Sequence, residues 1–345
     1  MDRCAALLNC FRLPEMHAVT QSVTAIAHPN IAIIKYWGKR DETLNLPAAG
    51  SLSLTLGPIG TRTTVSWGHD ADSLVLAGQT LTGRELTKVS RFLDLVRAVQ
   101  PGLGGASVVS ANDFPTASGL ASSSSAFAAL AVAATRAAGL TLDEQALSVL
   151  ARQGSGSAAR SVCDGYARMH GGRSEDGTDA WAETVFPSNH WDLQVVIGVT
   201  TEAQKEVKST DGMNLTMHTS PYYQAWVDSV EPSIEQAIEA IAARDFSRLA
   251  DLAEASALQM HASAIAAVPG VLYWRGATVE LIHAVRQWRE REGVPVFFTI
   301  DAGPHIKVFT PAAHASEVAE RLQQVPGVVR TILTHPAPGA ATVEP

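Results

Sequence analysis

Four stretches of this 345-residue chain carry side chains able to do chemistry. In KYWGKRDETLNLP, Lys35, Lys39 and Arg40 put three cations within six residues, with Tyr36 and Trp37 between them and Gly38 allowing a tight bend. Such a cluster suits an anion clamp in which ammonium groups meet phosphates as point charges and the tyrosine hydroxyl adds a donor. By itself the same composition also makes an ordinary solvated turn. The second stretch, NDFPTASGLASSSS, runs from Asn112 to Ser125. Pro115 blocks a helix before it, while Thr116 and Ser118 can cap a helix begun by Gly119 and Leu120. A helix start offers unpaired N–H groups and partial positive charge to a phosphate. Ala121 keeps the approach open, and the hydroxyls of Ser122 and Ser123 could reach a phosphate-bound metal. A buried alanine helix with a serine-rich first turn fits equally well, and the spacing is not that of G-x-x-x-x-G-K-[ST].

The third stretch is GSGSAARS, where Ser155 and Ser157 alternate with Gly154 and Gly156 and Arg160 follows. If this turn opens a helix, Ser157 and Arg160 share a face, and the guanidinium could grip a carboxylate through paired hydrogen bonds. The fourth is FFTIDAGPHIKVF, where Asp301 ends an apolar strand at a Gly-Pro turn. That position suits a catalytic carboxylate and equally a turn cap.

These residues need elements to hold them. Apolar and β-branched alternation predicts strands across 19–34, 51–56, 61–67 and 191–201. Helical spacing marks 86–99, 221–243, 245–263 and 275–292, and Thr141 with Glu144 predicts a capping box ahead of a helix to Gln153. KEVKSTDGM, with Lys205 and Lys208, is expected to be a loop. Length predicts about two domains. A hydrophobic share of 46% supplies ample core, and a net charge of −8 without a basic block argues against a nucleic-acid partner. No apolar run reaches the ~18 residues of a membrane span. Cys4, Cys10 and Cys163 form no C-x-x-C pair, which points to a reducing cytoplasm.

Taken together and in order, AHPNIAIIKYWGKRDETLNLP, NDFPTASGLASS, GSGSAARS, STDGM, ALQMHAS and FTIDAGPHIKV resemble the mevalonate diphosphate decarboxylases of the GHMP kinase superfamily, from about Val19 to Pro336. The resemblance implies an α+β GHMP kinase fold. Its parts would be an N-terminal extension over 1–18, an ATP-binding domain of ribosomal protein S5 domain 2-like type with a mixed sheet over 19–190, a C-terminal α/β sandwich over 191–337, and a tail over 338–345. It implies a cytoplasmic homodimer that binds ATP, Mg²⁺ and mevalonate 5-diphosphate, with no nucleic-acid or membrane partner. Asp301 would face the substrate's 3-hydroxyl with Lys35 beside it, and Arg160 with Ser157 would hold the carboxylate. Tyr36, Lys39 and Ser209, with Lys208, would meet the diphosphate, and Trp37 and Ser155 would also bind the substrate. Asn112, Pro115, Ser118, Gly119, Leu120, Ala121, Ser122 and Ser123 would surround the ATP phosphates, with Ser122 at the metal. Ala48, Ala49 and Gly50 stand where relatives often carry polar residues, so a polar contact near the substrate is expected to be missing. His28 and His261 are expected to be structural, and His305 to have no catalytic role. Two alternatives remain open at this point: a decarboxylase of mevalonate 5-phosphate, and a 3-kinase without carbon dioxide release.

Overall fold

The computed structural model describes residues 22–113, 122–203 and 205–343. The expected 1–18 extension lies outside them. Strands dominate the first hundred residues: β1 (Val23–Ala27), β2 (Asn30–Ile34), the short β3 (Lys39–Asp41) and β4 (Leu46–Pro47), β5 (Ser51–Gly57), β6 (Thr61–His69), β7 (Ser73–Leu76) and β8 (Gln79–Leu81). Helix α1 (Gly83–Val99) and β9 (Gly105–Asn112) follow. The turn after Gly57 joins β5 and β6 and delivers them to different sheets.

One sheet has six strands in the order β16-β1-β6-β9-β7-β8, with β7 parallel to β9 and the other pairs antiparallel. This is the mixed sheet expected of the first half. Across it lies α2 (Ser122–Ala137), packed on β1 and β6. Its alanines Ala128, Ala129, Ala131, Ala133 and Ala134 are fully buried, because a side chain of one methyl lets helix and sheet approach closely. Helix α3 (Glu144–Gly154) does not use the predicted capping box. Asp143 is its N-cap, accepting from the Ala146 amide at 2.8 Å, while the Thr141 hydroxyl takes Arg136 at 2.6 Å. The short α4 (Ala158–Ser161), β10 (Tyr166–Met169) and β11 (Ala182–Phe186) complete this half.

The remainder comprises β12 (Leu193–Val199), α5 (Ser209–Thr219), α6 (Tyr223–Ala243), α7 (Phe246–Ile265), α8 (Gly276–Glu292), β13 (Phe297–Ile300), β14 (Ile306–Pro311), α9 (Ala315–Gln324), β15 (Arg330–Pro336) and β16 (Ala341–Val343). Strands β13 and β14 form the expected hairpin, whereas a helix begins at Ser209, inside the segment expected to be a loop. Consecutive residues of the central strands serve different cores. Val195, Ile197, Phe297 and Phe309 pack with α6 and α7, whereas Val196, Phe298 and Val308 pack with α8 and α9. Burial on both faces explains why these strands read as unbroken apolar runs.

The eight-stranded sheet runs β11-β10-β5-β15-β12-β14-β13 with β2 also on β5, so it crosses from one half of the chain to the other. The crossing rests on Leu56 and Gly57 against Pro336 and His335. Past it, Ala341–Val343 of the expected tail adds β16 to the edge of β1.

Candidate active site

The two halves face each other across a cleft of about 730 Å³. Seven basic side chains line it, Lys35, Lys39, Arg84, Lys88, Arg160, Lys205 and Lys208, against the carboxylates of Asp211 and Asp301. An acidic chain thus concentrates cations where an anion would enter, and the low-dielectric walls focus their field. The sequence did not single out Arg84 and Lys88. They lie one helical turn apart on α1, a spacing common on any solvated helix.

Lys35 is the first residue after β2, and Asp301 the first after β13. Their meeting is a salt bridge of 2.8 Å between Lys35 Nζ and Asp301 Oδ1. Lys35 Nζ also donates to the Ala32 carbonyl at 3.0 Å, and its amide donates to Ser256 Oγ at 2.9 Å. A second ammonium, Lys307 on β14, stands 3.3 Å from Asp301 Oδ2. The lysine side chains are 2% and 3% exposed, but Asp301 keeps 29% open to the cleft. Burial alone would raise the Asp301 carboxyl, yet Lys307 and Lys35 more than offset it and hold the group below the usual carboxylate range. Burial lowers the Lys35 ammonium to about 8, with Asp301 opposing the shift. Sequence reasoning missed Lys307. The available signal was a lysine inside IKVF, a strand otherwise apolar.

Arg160 sits on α4, and the turn before it requires glycine. A Cβ on Gly154 would run into the Phe127 ring, and one on Gly156 into the Tyr36 hydroxyl. Arg160 Nη1 donates to Ser51 Oγ at 2.6 Å, while Nη2 and Nε donate to Asn30 Oδ1 at 3.1 and 3.3 Å. Asn30 is itself held, donating to Ser161 Oγ at 2.7 Å and the Ser157 carbonyl at 2.9 Å. Three bonds leave two of the five guanidinium N–H groups for a ligand. Burial lowers Arg160 to about 10, so it stays charged at neutral pH. Asn30 was not singled out either, because an Asn after a proline also reads as a turn residue.

Around the next wall, Lys39 Nζ donates to Asn45 Oδ1 at 2.6 Å. Tyr36 Oη and Trp37 Nε1 are buried without a hydrogen-bond partner in the protein, and burial pushes the Tyr36 hydroxyl up to about 12. Opposite, Lys205 Nζ donates to Ser209 Oγ at 2.7 Å and to the Ala302 carbonyl at 3.0 Å, and Lys208 is the N-cap residue of α5. Ser155 and Ser157 hydroxyls lie 3.3 Å apart, and Ser155 donates to Ser123 Oγ at 3.3 Å, so the head of α2 meets the glycine-serine turn.

The predicted Pro115, Ser118, Gly119, Leu120 and Ala121 lie outside the described residues, as does the Ser122 side chain. Asn112 is described, and it does not line the cleft. Its Oδ1 accepts from Thr61 Oγ1 at 2.6 Å, tying β9 to β6. Ala48, Ala49 and Gly50 do not line the cleft either. Gly50 has no room for a side chain, since a Cβ would press on Glu231, Ile234 and the Met169 carbonyl at 2.9 Å. His28 bonds the Ile59 carbonyl at 2.8 Å, and His261 is buried 4.9 Å from the Trp274 ring. Among the described residues no three His, Cys, Asp or Glu side chains gather as a metal site.

Residues 27–182 match the family described as diphosphomevalonate decarboxylase-like N-terminal domain, and 195–336 match mevalonate 5-diphosphate decarboxylase C-terminal domain. The chain is 36% identical over 326 residues to a diphosphomevalonate decarboxylase of Aspergillus fumigatus, spanning 88% of this chain and 80% of that one. The crystal structure of mevalonate diphosphate decarboxylase from Staphylococcus aureus superimposes with a TM-score of 0.89 at 37% identity, over 94% of this chain and 98% of that one. A solved structure of MDDEF in complex with MVAPP, AMPPCP and magnesium does so with a TM-score of 0.86 at 40% identity, over 94% and 99%.

Proposed function

This chain belongs to the diphosphomevalonate decarboxylase family, and from that premise we propose the residues that carry its reaction. The protein is an ATP-dependent decarboxylase. The 3-hydroxyl of mevalonate 5-diphosphate takes the γ-phosphoryl group of ATP, ADP leaving with the broken bond's electrons and the hydroxyl proton passing to solvent, and that phosphate then departs with its bonding electron pair. The bond to the carboxylate breaks, its electrons form the new double bond, and carbon dioxide and isopentenyl diphosphate leave.

Asp301, the cleft carboxylate held between two lysines, carries the assignment. Held ionised by two lysines, it accepts a hydrogen bond from the 3-hydroxyl and aims the oxygen at the phosphoryl group. The same negative charge offsets the positive charge that develops at carbon 3 as phosphate leaves. Lys35 neutralises the transferred phosphoryl. The two unused Arg160 N–H groups, with Ser157, hold the substrate carboxylate so that the breaking bond aligns with the emptying orbital. Tyr36, Lys39, Lys208 and Ser209 receive the diphosphate, and Trp37 and Ser155 also bind the substrate. The buried, unpartnered Tyr36 and Trp37 donors support this end of the site.

The ATP phosphates belong at the head of α2, where Ser123 faces Ser155. Magnesium shares their charge there, and these hydroxyls, with Ser122, are oxygen donors of the kind it accepts beside phosphate and water. We also propose a homodimer in the cytoplasm with the working halves 19–190 and 191–337. Tyr222, Ile265, Val268 and Leu272 are large apolar side chains left exposed, of the kind a second copy would cover, and no helix among the described residues is long and apolar enough to cross a membrane.

The test is carbon dioxide release measured beside ADP formation with Mg²⁺, ATP and, in parallel, mevalonate, its 5-phosphate and its 5-diphosphate. Equal yields of both products from the diphosphate are expected. ADP without carbon dioxide would withdraw the roles given to Asp301 and Arg160.

A further inference from the structure

Lys307 occupies the second position of β14, between Ile197 on one neighbouring strand and Thr299 on the other. Both faces of that sheet are buried, and an apolar residue there would pack without desolvating a charge. A lysine therefore needs a specific partner to be tolerated. It has one: its Nζ lies 3.3 Å from Asp301 Oδ2, with the His305 carbonyl accepting from it at 3.4 Å. Lys307 does not line the cleft, so it does not touch substrate. Lys35 meanwhile holds Oδ1 from the opposite strand end.

We propose that Lys307 is the positioning residue of Asp301, fixing Oδ2 so that the carboxylate keeps one orientation and presents one open edge to the reacting hydroxyl. This rests on the role assigned to Asp301 above. Other ionisable groups that face Asp301 include Lys205 ahead of α5, Arg160 on α4 and His261 on α7, and His305 lines the same cleft. Lys205, Arg160 and His261 do not bond Oδ2 in the structure. With two ammoniums on one carboxylate the triad carries a net positive charge, as a site receiving a phosphoryl group requires.

The experiment compares the full-length enzyme with Lys307→Met, Lys307→Gln and Lys307→Arg, following kcat, both KM values and the pH profile of kcat/KM. Removing this cation relieves the depression of both partners, so the alkaline limb of the profile, set by Lys35, should move to higher pH in Lys307→Met and Lys307→Gln. kcat should fall ~10-fold or more, with the KM for ATP within about twofold, as for loss of one charged hydrogen bond. Lys307→Arg should recover the limb. If either neutral variant folds and turns over with an unmoved limb, the proposal is overturned, even if the rate is lower. Asp301→Asn is run alongside. Wild-type turnover in that variant would remove the role of Asp301 itself, whereas its collapse together with an unmoved limb in the Lys307 variants would reject Lys307 alone.

Discussion

Lys35 Nζ and Asp301 Oδ1 form a 2.8 Å salt bridge although 266 residues separate them in the chain. The bridge joins the two halves at the centre of the cleft, and each partner sits at the end of a buried strand. Its ionisation therefore reports on both halves at once. Burial lowers Lys35 to about 8, so the ammonium is present below that pH and lost above it. kcat/KM should fall as pH rises through about 8. A steady-state profile checks this, and a flat profile to pH ~10, the ordinary lysine range, would separate Lys35 from the rate.

Asp301→Asn preserves size and removes the charge. Turnover should drop at least ~10²-fold, as for loss of a positioned acid–base group. ATP affinity, read by calorimetry, should change little.

Arg160→Lys replaces a planar fork with a point charge that cannot bond Asn30 and Ser51 together while reaching a ligand. A loss of ~10–100-fold in kcat/KM for the diphosphate is expected. Unaltered kcat and KM would mean that the substrate carboxylate lies elsewhere.

His261 is buried, and that burial lowers it to about 3 from 6.5. Between those values the unfolded chain binds a proton that the folded chain refuses. Stability is thus fully present above about 6.5 and is lost as pH falls toward 3. At about pH 5.5 the cost is about 1 kcal/mol. Denaturant midpoints measured across that window should fall with acid less steeply in His261→Phe than in the natural chain.

Gly38 has φ of +102°, and a Cβ there would meet the Tyr223 hydroxyl, which donates to the Trp37 carbonyl at 3.3 Å. Gly38→Ala should cost at least ~1 kcal/mol from the backbone alone. Because the bend also aims Lys39, KM for the diphosphate should rise in parallel with the fall in the denaturant midpoint.

Much of this molecule is written in short-range signals. The strands around 23–34 and 193–199, the three long helices of the second half and the hairpin ahead of Lys307 follow from periodicity and turn residues within one window. Where a local signal failed, a neighbour had outcompeted it. Asp143 caps α3 while the Thr141 hydroxyl is engaged by Arg136. Gly50 is glycine because α6 presses on it, a contact with residues far along the chain.

The sequence by itself determined the chemistry on offer: cations at Lys35 and Lys39, a carboxylate at Asp301, and a glycine-serine turn before Arg160 that only small residues could make. Tertiary structure decided their use. It placed Lys307 on the second oxygen of Asp301, Asn30 and Ser51 on the fork of Arg160, and Arg84 and Lys88 on the cleft wall. The physical reason is that propensity and spacing act over a few residues. An ion pair between distant strand ends exists only once sheet register and the packing of the two halves have set the separation of its atoms.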